Sequence, residues 1–324
     1  MKILITGGAG YLGSILSAQL MKAGHEVRVF DSLMYGGESL LALAGQKGFE
    51  FHRGDVRDGA AVKAAVHGVD SVVHLASIVG DPACARDPQL ARAINLDASL
   101  NLIAEAQSAG VGRFVFASTC SNYGKMVDTS VLATEDSELR PVSLYAETKV
   151  GVEKQLMSLP PKPMAATVTR FSTLYGLSPR MRFDLTVNEF TMEMLVRRKL
   201  VVYGEQFWRP YVHVRDAARA VAMILETNTE LVAGQVFNVG DTGENYRKAD
   251  LLELIRKHIP DAEVKTVAKA EDPRDYRVSF ERIRRQLGYT ITRRVKDGVA
   301  EIASALEAGL ISDPSNPVHY NVQP

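Results

Sequence analysis

The chain has 324 residues, 46% of them hydrophobic and 23% charged, with Lys plus Arg and Asp plus Glu both at 38. That length predicts one large or two small domains around a substantial core, and the balanced charge excludes the globally basic face of a nucleic-acid or membrane-surface binder. Two cysteines, Cys84 and Cys120, supply neither a disulfide framework nor metal-ligand spacing, and no stretch is apolar and long enough to span a bilayer, so a cytoplasmic protein is expected.

Residues 2–5 form an apolar run, followed by a glycine cluster and a helix pattern over 11–23 that Gly24 stops. A second strand is predicted over 26–30, a strand over 71–75, a long helix over 88–109 and a strand over 113–117. A second long helix covers 143–158, closed by Pro160, Pro161 and Pro163, and 165–170 is again a strand. Strands alternating with helices imply right-handed crossovers and an α/β, doubly wound parallel sheet with helices on both faces. After Phe171 the alternation breaks. Residues 178–183 look loop-like and 187–197 helical; 216–226 and 235–239 supply one more helix and strand of the main sheet, and the chain from Asp241 is helix-rich. Two interleaved lobes are expected: 1–171 plus 209–240 as a dinucleotide-binding domain, and 172–208 plus 241–324 as a smaller mixed α/β substrate lobe.

The segment 6–13 reads TGGAGYLG, with glycines at 7, 10 and 13 between a strand and a helix; Gly8, Gly10 and Gly13 also satisfy G-x-G-x-x-G. Glycine there permits a tight turn, close backbone approach to a pyrophosphate and close helix packing, and the helix N-terminus adds free N–H groups and a favourable dipole. Asp31 follows at about the 20-residue distance at which an acid meets the adenosine ribose. Its charge repels a 2′-phosphate, which favours NAD over NADP. The competing reading is a structural glycine turn with a solvated Asp. Asp55 and Val56, in GDVRD, follow a third strand pattern and either hold adenine or, for Asp55, cap a helix.

Tyr145 and Lys149 stand four apart on a helix and so share a face. A nearby ammonium stabilises phenolate, as a tyrosine base requires. A strand ending in Ser118-Thr119 supplies a hydroxyl for the same substrate oxygen. The competing reading is a surface Tyr/Lys pair beside a buried Thr.

With these parts in this order, the sequence resembles the extended short-chain dehydrogenase/reductase family, whose members include nucleotide-sugar epimerases, dehydratases and reductases on a Rossmann fold. The likeness runs through TGGAGYLG, Asp31, GDVRD, HLAS at 74–77, Asn95, FAST…YG at 114–124, YAETK at 145–149, Arg170, RPYVHVRD at 209–216 and FNVGD at 237–241. The resemblance implies that NAD is held by Gly7, Gly10, Tyr11, Leu12 and Gly13, by Asp31, Asp55 and Val56, by Leu75, Ala76, Ser77 and Asn95, and by Tyr145 and Lys149. It implies Thr119 as hydrogen-bond donor to the substrate, Tyr145 as base and Lys149 as ribose ligand and tuner of Tyr145. Family 4,6-dehydratases typically carry Asp-Glu immediately after the catalytic Thr, whereas this chain has Cys120 and Ser121. Ordinary dehydration is therefore doubtful. The Cys120 thiol either serves as acid or base in an epimerisation or is a small buried residue.

A nucleoside diphosphate calls for arginine. Arg209 and Arg274 match positions that contact the diphosphate in the family, or else form salt bridges. Asn188 either binds phosphate or sugar or caps a helix, and Tyr203 either packs near the base or lies in the core. Trp208 and His213 read as structural. Residues 77–86 and 178–184 are expected to line the sugar, with Arg180 and Arg182 meeting an acidic sugar or facing solvent. The expected function is an NAD-dependent nucleotide-sugar epimerase working by transient oxidation and hydride return. The alternatives are an NAD(H)-dependent nucleotide-sugar oxidoreductase such as a 4-ketoreductase, a dehydratase, and a non-catalytic cofactor sensor. By the same resemblance a homodimer forms through the helices at 88–109 and 143–159.

Overall fold

The computed structural model describes residues 1–322 except 127, 129, 270, 271 and 273. The first half alternates: β1 (Lys2–Thr6), α1 (Tyr11–Lys22), β2 (Glu26–Asp31), β3 (Phe49–Arg53), α2 (Gly59–Val66) and β4 (Ser71–His74), then α3 (Asp81–Arg86), α4 (Pro88–Arg92), α5 (Ala98–Ser108), β5 (Arg113–Thr119), α6 (Leu144–Met157) and β6 (Ala165–Phe171). The second half contains β7 (Thr173–Tyr175), α7 (Thr186–Met192), β8 (Lys199–Tyr203), β9 (Trp208–His213), α8 (Val214–Glu226), α9 (Thr229–Val232) and β10 (Gln235–Val239). It closes with β11 (Asn245–Arg247), α10 (Lys248–Arg256), β12 (Glu263–Val267), α11 (Glu281–Leu287) and α12 (Val295–Glu307).

Seven strands pair in the order β10-β6-β5-β4-β1-β2-β3, all parallel. Helices cover both faces of the central strands: Ile3, Leu4 and Ile5 of the apolar β1 are fully buried, and every residue of β6 is buried, its Thr and Arg side chains included. The chain enters at β1, winds out through β2 and β3, then crosses back to β4. That reversal opens a crevice beyond the carboxyl ends of β1 and β4, where open α/β sheets take ligands.

Two features depart from the expected elements. The helix predicted over 88–109 is interrupted by a π turn at Ala93–Asp97. The region after Phe171 holds two small sheets, β11-β9-β7 and β12-β8, whose strands pair over long sequence separations. Trp208–His213 belongs to the first of these. A separate apolar cluster, including Val187, Leu251, Ile255 and Val299, forms the core of this second lobe. The lobes are joined at the glycine loop. The Tyr11 hydroxyl donates to Gly176 O at 2.6 Å, and Ser178 Oγ donates to Tyr11 O at 2.7 Å. Among the described residues no helix is long and apolar enough to cross a membrane, and no His/Cys/Asp/Glu group is arranged to hold a metal.

Candidate active site

The crevice between the lobes is lined by the glycine loop, by Asp31, Asp55 and Val56, by Leu75 to Ser77, and by Thr119, Tyr145 and Lys149. A Cβ on Gly7, which sits at φ +74°, would lie 2.7 Å from Ala76 N, and one on Gly13 would lie 2.3 Å from Gly7 O. Both glycines are therefore demanded by packing. A Cβ on Gly10 would meet only Gly7 O, at 3.1 Å, so its other side is open to a ligand. No side chain caps α1, and its first N–H groups stay available to an anion.

Asp31 closes β2 with one oxygen accepting from Ala9 N at 3.0 Å and the other from Leu33 N at 2.8 Å. Leu33 adopts φ +61° to make that turn, a strained conformation for a branched side chain. Burial raises the Asp31 pKa, and no Lys or Arg among the described residues forms an ion pair with it. A carboxylate held this way into the crevice, beside an uncapped helix N-terminus, fits the ribose and diphosphate of a dinucleotide. Asp55 also lines the crevice; its paired Arg57, at 2.6 Å, holds it below the usual carboxylate range. The cap of α2 is Asp58, which accepts from Ala60 N and Ala61 N. Asn95 does not line the crevice. From the π turn it accepts from Ile78 N at 2.8 Å and Ser77 Oγ at 2.9 Å and donates to Ile78 O at 2.9 Å, so it fastens the wall that does.

Thr119, Tyr145 and Lys149 meet where β5 ends and α6 begins. Ser143 caps α6 by accepting from Ala146 N, which starts the helix in register with the strand end. Lys149 Nζ donates to Ala117 O at 2.9 Å and stands 5.8 Å from the Tyr145 ring centroid. Burial lowers its pKa to about 8. Burial also raises the Tyr145 phenol above its ordinary value, so a cationic ligand beside the ring would act against that shift. Thr119 Oγ1 accepts from Ser121 N at 3.1 Å, which leaves its own proton for a ligand.

Cys120 is fully buried and turned away from the crevice. Its thiol donates to Arg170 O at 3.2 Å, and burial pushes its pKa far up. The structure thus supports the packing reading of Cys120 over the acid–base one. The physical reason is that β5 runs straight into a 3-10 turn at Cys120–Tyr123, which ends the strand alternation and sends Ser121 to the crevice instead. Ser121 Oγ lies 3.3 Å from Tyr276 Oη.

At the far end of the crevice Arg209 pairs with Asp272 at 2.9 Å and lies over the Tyr276 ring at 5.3 Å. Arg274 reaches Asp81 at 3.1 Å and Asp272 at 3.7 Å. Burial works to raise the Asp272 pKa, but Arg209 and Arg274 hold it below the usual range. Lys248 Nζ, donating to Tyr203 O at 2.8 Å, adds a third cation to this end. Nothing in the sequence singled out Lys248; Ser121 was noted only as the residue standing second in the dehydratase Asp-Glu pair, and Asp272 and Tyr276 lie two residues to either side of Arg274. Asn188 and Tyr203 do not line the crevice. Asn188 is fully buried, accepting from Gly176 N at 2.9 Å and donating to Arg182 O and to the Tyr11 hydroxyl at 2.8 and 3.1 Å. The Tyr203 side chain is 58% exposed on the outer face of β8, and only its carbonyl serves the site, through Lys248. His213 is buried against Glu301 at 2.6 Å, and Trp208 stacks under Arg277, both away from the crevice.

The profile of the NAD dependent epimerase/dehydratase family matches residues 3–240. The chain is 29% identical to a UDP-glucose 4-epimerase of Corynebacterium glutamicum, over 90% of this chain and 91% of that one. It is 31% identical to a dTDP-glucose 4,6-dehydratase of an Actinoplanes species, over 93% and 96% of the two chains. The dTDP-glucose 4,6-dehydratase of Streptomyces venezuelae, solved with NAD bound, is similar at a TM-score of 0.85 and 28% identity, over 95% and 98%.

Proposed function

The chain belongs to the NAD dependent epimerase/dehydratase family, with NAD as its cofactor, and from that premise we propose that it is a nucleotide-sugar epimerase acting by transient oxidation of one sugar hydroxyl. The observation that carries this reading is the pair of residues after Thr119. Elimination of water needs an acid for the departing hydroxyl and a base for a carbon-bound proton. Here those positions hold a core thiol and a serine. The carboxylates nearest Tyr145 and the substrate end are engaged: Asp81 by Ser143 and Arg274, Asp184 by Arg182, and Asp272 by Arg209.

What remains suits one carbinol carbon. Tyr145 takes the hydroxyl proton, Thr119 donates to the same oxygen, and Lys149 holds the cofactor ribose and favours phenolate. Bound NAD supplies a hydride acceptor that can return what it takes. Arg209, Arg274 and Lys248 anchor a nucleoside diphosphate while the sugar turns its other face to the cofactor. UDP and dTDP sugars are the substrate class, in line with the named relatives. This reading also takes α4, α5 and α6 as the face of a homodimer, which light scattering of a monomer at micromolar concentration would exclude.

The test is mass spectrometry of purified protein incubated with UDP- and dTDP-hexoses without added cofactor. Copurified NAD and a product of unchanged mass but new retention time are expected. A product lighter by one water identifies a dehydratase. Turnover only with added NAD(H), giving a product that differs by two hydrogens, identifies a net oxidoreductase.

A further inference from the structure

Among the described residues Arg180 forms no ion pair. It is 5% exposed, lines the crevice and lies 4.2 Å from the centroid of the Tyr35 ring. Among the described residues its one hydrogen bond is a long one, from Nη2 to Tyr320 O at 3.4 Å, and Nε has no partner. The two acids nearest in charge are already engaged. Asp184 accepts two bonds from Arg182, at 3.0 and 2.7 Å, and Asp31 accepts two backbone N–H groups. A buried guanidinium left this way is costly unless an anion completes it.

The chain around Arg180 indicates which anion. Two residues earlier, Ser178 is fastened to the start of α1, through Tyr11 O and through Ser14 Oγ at 3.2 Å. Tyr35 comes from the loop directly after Asp31. Arg180 therefore lines the side of the crevice that carries the glycine loop, the start of α1 and Asp31. The opposite end of the crevice has its own cations in Arg209, Arg274 and Lys248.

We propose that Arg180 closes over the diphosphate of bound NAD, a clamp delivered by the second lobe onto the first, with Tyr35 as the platform that keeps the guanidinium flat. The planar fork suits two phosphate oxygens at once. Release of NAD then requires the 178–182 loop to lift from α1. The inference rests on NAD as cofactor and is independent of which sugar reaction follows.

The experiment is an exchange of bound NAD for isotope-labelled NAD in the holoenzyme, followed by mass spectrometry of denatured samples. Arg180→Met is expected to speed release roughly ten- to hundredfold, the range for losing a charge-assisted hydrogen bond, with UDP affinity by calorimetry within about twofold of the parent. Unchanged exchange overturns the proposal, whether UDP affinity falls, which would move Arg180 to the substrate's diphosphate, or stays the same. Should Arg180→Met not accumulate folded, Tyr35→Leu removes only the platform. Severalfold faster exchange is then expected, and none overturns the clamp.

Discussion

Replacing Lys149 by Met should make the cofactor-free protein more stable while disabling it. Lys149 makes no ion pair among the described residues, and burial takes its pKa from 10.5 to about 8. At about 1.4 kcal/mol per pH unit, holding that charge in the folded state at neutral pH costs roughly 3 kcal/mol. Methionine of similar length removes the cost and forfeits the hydrogen bond to Ala117 O, worth about 1 kcal/mol, for a net gain of about 2 kcal/mol. Because folding lowers this lysine's proton affinity, the unfolded chain binds more protons between pH 8 and 10.5, and parent stability rises across that window. The advantage of Lys149→Met is therefore full below about pH 8 and fades toward 10.5. Urea unfolding of NAD-free protein at several pH values measures it, and turnover should drop by ~10²-fold or more. A variant less stable than the parent at pH 7, or a gain that stays flat with pH, would refute the reasoning.

Three further outcomes follow from the same geometry. Cys120→Ser should keep turnover within about twofold, since the serine hydroxyl can donate to Arg170 O as the thiol does; a hundredfold loss measured at saturating substrate would restore the thiol to the chemistry. Asn188→Ala should lower unfolding free energy by about 3 kcal/mol, because it strands Gly176 N and Arg182 O in the interior; denaturation at matched pH reads this directly. Arg209→Met should raise KM for the nucleotide sugar about tenfold or more with a much smaller change in kcat, as expected of a group that binds diphosphate without touching the reacting carbon.

The cofactor half was legible because its constraints are local. Gly7, Gly10, Gly13 and Asp31 lie within one strand–helix–strand unit, and each answers to a backbone turn or a strand end that sequence spacing reveals. Tyr145 and Lys149 were equally readable, being one helical turn apart. The substrate end was not, because its parts come from distant segments. Lys248 reaches the crevice only because β11 delivers the start of α10 there, and Asp272 meets Arg209 across a long stretch of chain. Asn188 and Asn95 looked like ligands because buried polar side chains and ligand-binding ones share a composition. In the folded chain each spends its hydrogen bonds on backbone and hydroxyl groups of the protein and, for Asn95, on the Cys84 sulfur. The direction of Cys120 hinged on where β5 stops, and strand ends are the least certain part of any sequence reading.

The π turn at Ala93–Asp97 has a bearing on how this chain can vary between generations. It amounts to one additional residue wound into a helix. Because the wide turn spends that residue without advancing the rotation, deleting it would leave an ordinary α-helix whose later residues keep their direction about the axis. Leu102, Ile103 and Ala106, now buried, would stay buried, while Asn95, inside the turn, would let go of Ser77 and Ile78. Gaining or losing that residue therefore alters the crevice wall in a single step and spares the core face beyond it. Heritable change in length is tolerated far more readily at exposed loops such as the one around Gly45 and Gly48, where an added side chain at Gly45 meets nothing.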